Sequence, residues 1–129
     1  MNIVVINSSP TVCQVLANTL QNRGHQVRCF LDPVEALHTL FQTKTLSLPD
    51  LLFTHITSTS QLTGYEVLRL FRTHGPQIPV VVICPLDDAL IQLKAHLAGA
   101  SVFLGEPVQL QQVMVLVQRL AMRADTSTQ

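Results

Sequence analysis

Short apolar runs alternate along this chain with apolar stripes at helical spacing, and few architectures satisfy that alternation. Ile3-Val4-Val5-Ile6 has no polar residue in it, so a strand there must be covered on both faces. Gln26 to Phe30, Leu51 to Ile56, Pro79 to Cys84 and Ser101 to Leu104 predict four further strands. A helical pattern follows each one. Strands that alternate with helices build a parallel sheet with helices on both faces, joined by right-handed crossovers. The expected fold is α/β, five parallel strands in the order 2-1-3-4-5, the flavodoxin-like doubly wound type.

Local signals place the helices. Ser9 is a cap with Pro10 at the first helical position, where the missing N–H costs nothing. Val12, Val15, Leu16, Thr19 and Leu20 then form the inward face, and Gly24 closes the helix. Asp32-Pro33-Val34-Glu35 starts the second helix, with Val34, Leu37, Leu40 and Phe41 inward. After a loop from Thr43 to Pro49 and the third strand comes a hydroxyl-rich loop, Thr57 to Thr63. Gly64 opens a helix with Val67, Leu68 and Phe71 inward, and Gly75-Pro76 stops it. Asp87 is the expected cap of the fourth helix, whose inward stripe is read as Leu90, Leu93 and Leu97, ended by Gly99. The last helix is expected to bury Leu110, Val113, Met114, Val117 and Leu120. One domain is expected over residues 1–123, with 124–129 a fraying polar tail or the start of a linker.

Charge narrows the partners. The chain carries 8 Lys plus Arg against 8 Asp plus Glu, and only 12% charged residues, where about 25% is usual. That balance supplies no basic footprint for nucleic acid or anionic lipid, and it opposes self-association weakly. No apolar run approaches the roughly 20 residues of a membrane span. Cys13, Cys29 and Cys84 are scattered without a CxxC spacing, which predicts reduced thiols and a cytoplasmic setting.

In the expected strand order the functional crevice lies beyond the carboxyl ends of strands 1, 3 and 4. Asn7, Ser8, His55 and Cys84 stand there, with Glu106 just past strand 5. The segments around them carry a resemblance. Val4-Val5-Ile6-Asn7-Ser8-Ser9-Pro10, Pro49-Asp50-Leu51-Leu52-Phe53-Thr54-His55-Ile56, Gly64-Tyr65-Glu66-Val67-Leu68, Ile78-Pro79-Val80-Val81-Val82-Ile83-Cys84 and Gly99-Ala100-Ser101-Val102-Phe103-Leu104-Gly105-Glu106-Pro107 follow one another at family spacing, from Ile3 to about Leu120. Together they resemble the response-regulator receiver domain, the CheY-like family. Only the loop after His55 is one residue longer. The resemblance implies two acidic residues at Asn7 and Ser8, the phosphoacceptor aspartate at His55, Thr or Ser at Cys84 and Lys at Glu106. All five positions depart from that pattern. Phe103 stands where the family places its switch aromatic, and is expected to stay packed inward. The bond before Pro107 is expected to be cis, as is usual at the matching proline, which would aim the Glu106 side chain over the pocket to face His55.

Receiver phosphorylation needs a carboxylate nucleophile and Mg²⁺ held by carboxylate oxygens. Asn7 and Ser8 offer no anionic oxygen, and Glu106 would repel a group carrying about −1.5 to −2 charges. His55 admits two readings, a phosphohistidine site or a polar strand-end residue bonded to a backbone carbonyl. His55, Cys84 and Glu106 are zinc-type ligands, but no short ligand pair accompanies them. A Cys84–His55 nucleophilic pair is chemically conceivable, set against an inert thiol ending an apolar strand. The hydroxyls Thr57-Ser58-Thr59-Ser60 lack any Gly-rich phosphate motif, and read as a solvated loop.

The expectation is therefore a pseudo-receiver: no enzyme, no catalytic residue, no metal and no cofactor, acting as a protein interaction module independent of Asp phosphorylation. A sensor that places a small ligand or metal in the vacated acidic pocket is the alternative, with an enzyme on the same fold as a third. The expected contact face, for a protein partner or for self-association, is helix 4, strand 5 and helix 5. Gln111, Val115, Gln118 and Met122 form an uncharged outward stripe on the last helix, with Ile91 and Ala95 on the fourth helix assigned to the same face. Neither nucleic acid nor membrane is an expected partner.

Overall fold

Side chains alternate across a strand, so each strand of a covered sheet feeds two cores. The structure, a computed structural model, describes residues 1–41, 48–57 and 62–127, and the side chains within them except at 62, 63 and 124–127. The elements run β1 (Asn2–Ile6), α1 (Pro10–Gln21), β2 (Gln26–Phe30), α2 (Pro33–Phe41), β3 (Leu51–His55), α3 (Leu62–His74), β4 (Val80–Cys84), α4 (Ala89–Ala98), β5 (Val102–Gly105) and α5 (Leu110–Ser127). All neighbouring strands pair in parallel, in the order β2-β1-β3-β4-β5. On one face Val4, Leu52, Val80 and Val82 pack with Leu40 of α2, Val67, Leu68 and Phe71 of α3, and Ile91 of α4. On the other, Ile3, Val5, Phe53, Val81 and Ile83 pack with Leu16 and Leu20 of α1 and Val113 and Val117 of α5.

The local signals translate directly. Ser9 caps α1, its hydroxyl accepting the Val12 N–H at 3.3 Å, and Asp32 accepts the Val34 N–H at 3.0 Å where α2 begins. Gly24 takes a φ of 89° past the end of α1. α5 runs to Ser127, beyond the boundary expected at residue 123. The hydroxyls Ser58, Thr59 and Ser60, and residues 43–47 of the earlier loop, lie outside the described residues.

α4 is the correction. Leu90, Leu93 and Leu97, expected inside, are exposed at 59%, 55% and 76%, while Ile91 and Ala95, expected on the outer face, are exposed at only 4% and 0%. The cap is Asp88, not Asp87, and its carboxylate accepts the Ile91 N–H at 3.1 Å. Close approach to α3 explains the phase. A Cβ on Gly99 would stand 3.2 Å from Arg72 Cβ and 3.3 Å from the Leu68 carbonyl oxygen. The seam Ile91, Ala95, Ala98 is mostly small and fits that space, which a row of leucines would overfill. Single residues also turn outward elsewhere: Val15 in α1, Val34 in α2 and Leu110 in α5 are exposed instead of inward.

Candidate functional site

The carboxyl ends of β1 and β3 and the start of α2 enclose a crevice of about 360 Å³, lined by Asn7, Ser8, Asp32, Thr54, His55 and Gly64 among others. Asn7 is buried, and its backbone groups and side-chain oxygen are engaged. Its N–H donates to the Phe30 carbonyl at 3.0 Å, its side-chain oxygen accepts the Ser9 N–H at 2.9 Å, and its carbonyl accepts the Cys13 thiol at 3.3 Å. Asn7 is therefore the post around which β1 turns into α1. Ser8 is exposed at the rim.

His55 ends β3, and its Nε2 meets the Glu106 carboxylate Oε1 across the crevice mouth. Glu106 precedes Pro107 through a cis peptide bond, as expected. The partner of His55 is thus a carboxylate and not a backbone carbonyl. Cys84 is fully buried at the end of β4. Burial first, then the charges of Glu106 and Asp88, push its thiol pKa up. With this thiol sealed from solvent and His55 turned onto Glu106, the Cys84–His55 pairing has neither access nor a free base. Among the described residues no three His, Cys, Asp or Glu side chains stand close enough together to hold a metal ion, so His55, Cys84 and Glu106 do not assemble as a triad.

The sequence marks Asp32 only as a helix cap, yet it is the crevice's lining carboxylate. The signal lay in the strand order, since β2 borders β1 and ends beside it. Phe103 is half-buried and packs against the core on the α2–α4 face. On α5, Gln111, Val115, Gln118 and Met122 are all exposed, whereas Ile91 and Ala95 are withdrawn from that face by the phase of α4. Beside α5 and β5, Leu86, Phe103, Gln111 and Val115 line part of a groove of about 590 Å³.

The donor set in the crevice fits a hard divalent cation poorly. Such ions are held by several oxygens, at least one or two of them carboxylate. Here the Asn7 amide oxygen is committed to Ser9, Ser8 is neutral, Asp32 already caps α2, and Glu106 is turned onto His55.

A family model described as the response regulator receiver domain matches residues 3–118. Response regulator MprA of Mycobacterium avium (strain 104) is 28% identical over 123 residues, which cover 95% of this chain and 52% of that protein. The nitrogen assimilation regulatory protein NtrX of Azorhizobium caulinodans is 25% identical over 119 residues, covering 92% of this chain and 25% of that protein. The chain thus spans about half the length, or less, of these curated relatives. Among solved structures, a two-component response regulator from Clostridium difficile superposes with a TM-score of 0.80 at 22% identity, covering 96% of this chain and 98% of that one. Chemotaxis protein CheY4 of Vibrio cholerae gives 0.75 at 19% identity, covering 92% and 97%. At these identities the structural likeness speaks for the fold. Among the described residues, no helix is long and apolar enough to cross a membrane.

Proposed function

Since the chain belongs to the response regulator receiver family of two-component signalling, we propose that it is a receiver that works without aspartyl phosphorylation and acts as a constitutive protein-docking module. The observation that carries this is the His55–Glu106 contact. At the two positions where the family pattern pairs an acceptor carboxylate with a lysine, this chain pairs an imidazole with a carboxylate. A phosphoryl group on His55 would displace that carboxylate and then face its charge without a metal to neutralise it. Beryllofluoride or acetyl phosphate with Mg²⁺ is expected to change neither the intact mass nor the backbone amide shifts. A saturable shift at residues around His55 would refute the reading.

The docking surface in this proposal is the edge of the sheet where α4, β5 and α5 meet, and its centre is the leucine row of α4. Leaving a Leu exposed forgoes roughly 1.5–3 kcal/mol of burial, so three on one short helix argue for a cover. The proposed cover is a second copy of the chain. Leu90, Leu93 and Leu97 lie on α4, and Leu86 lies in the turn before it. A two-fold axis between Leu90 and Leu93 would set two α4 helices antiparallel, with Leu90 over Leu93, and would bring Asp87, in the turn before α4, near His96 of the other copy. The uncharged α5 stripe would form the rim. A monomeric mass by light scattering across the micromolar range would count against it.

A further inference from the structure

Cys13 on α1 and Cys29 on β2 are separated by 16 residues in sequence, yet Cys29 Sγ stands 3.5 Å from the Cys13 carbonyl oxygen. The two thiols are near enough for each to perturb the ionisation of the other. Both are free. Cys29 is exposed, whereas Cys13 is buried and donates its thiol proton to the Asn7 carbonyl at 3.3 Å. The remaining thiol, Cys84, is buried in the core on the opposite face of the sheet. One exposed sulfur backed by one buried sulfur is the layout of an attacking and a resolving thiol.

We infer that Cys13 and Cys29 are an oxidation site that closes to a disulfide between α1 and β2 when the chain meets a small disulfide of the glutathione class. The Cys29 thiolate attacks one sulfur of the small disulfide, forms a mixed disulfide and releases one small thiol. Cys13 then attacks the Cys29 sulfur and releases the second. The protein's two sulfurs lose two electrons in total, the small disulfide is reduced to two thiols, and the two protein thiol protons end on those products. Partial desolvation on its inner side, with Cys13 beside it, pushes the Cys29 pKa up to about 11. The thiolate is therefore scarce at neutral pH, and the first step is slow and climbs about tenfold per pH unit between pH 7 and 9. A pair of this kind ignores brief oxidation and records sustained oxidation. Once bridged, Cys13 has no S–H, and the Asn7 carbonyl loses its donor. The redox state of the pair is thereby transmitted to the wall of the crevice.

The test is incubation of the whole chain with oxidised glutathione, followed by alkylation in denaturant and intact mass. The expected product has lost two hydrogens and retains one alkylatable thiol, Cys84. Trypsin cuts after Arg23 and Arg28, so without reduction the bridge must join the peptide ending at Arg23 to the one beginning at Cys29. Amide shifts should change at Asn7 and Ser8, and Cys13→Ala should stop at a stable glutathione adduct on Cys29. The inference is overturned if the wild-type chain also stops at that adduct, if the bridge includes Cys84, or if all three thiols remain alkylatable at pH 9.

Discussion

Helices α4 and α5 wrap the same strand, β5, from opposite faces of the sheet, and their sequences disclose their orientation very unequally. In α5 the buried Val113 and Val117 stand among Gln111, Gln112, Gln118 and Arg119, so polar residues mark the outside. In α4 only Gln92, Lys94 and His96 are polar, and two apolar stripes compete: Leu90, Leu93, Leu97 and Ile91, Ala95, Ala98. Hydrophobicity favours the leucines by roughly 1.5–3 kcal/mol for each one buried. Forcing larger side chains into a close helix contact costs a similar 1–3 kcal/mol each. With the two effects matched, the width of the gap to α3 decides, and the gap admits alanine. Periodicity locates a helix, and its phase is legible only where a polar face contrasts with an apolar one.

The hardest test of this contrast places a charge on each side of α4. Ile91→Asp buries an unpaired carboxylate against the core and is expected to cost on the order of 3–5 kcal/mol, lowering Tm by about 10–20 °C. Leu93→Glu lies on the outer side and should leave the Tm of the monomer nearly unchanged. Differential scanning calorimetry of the two variants decides between the stripes. Equal destabilisation would mean that both faces of α4 are covered within one chain.

The next effect is on association. Leu93→Glu sits at the centre of the proposed two-fold contact, and light scattering should report a monomer at concentrations where the wild-type chain pairs. Val115→Glu, on the outward stripe of α5, belongs to the rim, and is expected to weaken pairing by about tenfold or less. If the order is reversed, with Val115→Glu abolishing pairing and Leu93→Glu tolerated, α5 carries the contact and the leucine row is idle surface.

The sheet was legible because its signals are local. The span of β2 and the caps Ser9 and Asp32 follow from neighbouring residues alone, and the receiver resemblance adds the cis bond before Pro107. What escaped depends on contacts between distant segments. The Cys13–Cys29 contact needs β2 laid beside α1, and the crevice role of Asp32 needs β2 beside β1. The residues at the five strand-end positions, and Glu106 facing His55, are legible in the sequence; the hydrogen bonds that engage Asn7 are not. A list of residue types at strand ends does not say which side chains spend their hydrogen bonds on the backbone.

The smallest effect separates the two candidate caps of α4. The sequence offers Asp87 and Asp88 in succession, and either can satisfy a free N–H at a helix start. The structure uses Asp88, whose carboxylate reaches the Ile91 N–H, and its backbone carbonyl also accepts the Gln92 N–H at 3.2 Å. Asp88→Ala should therefore cost about 1 kcal/mol, a fall in Tm of roughly 3–5 °C. Asp87→Ala should stay within about 0.5 kcal/mol, as an exposed residue without a cap bond does. Both measurements belong in the Leu93→Glu background, where the proposed Asp87–His96 contact between copies is absent and Tm reads the single chain. A larger loss at Asp87 than at Asp88 would move the start of α4 back by one residue.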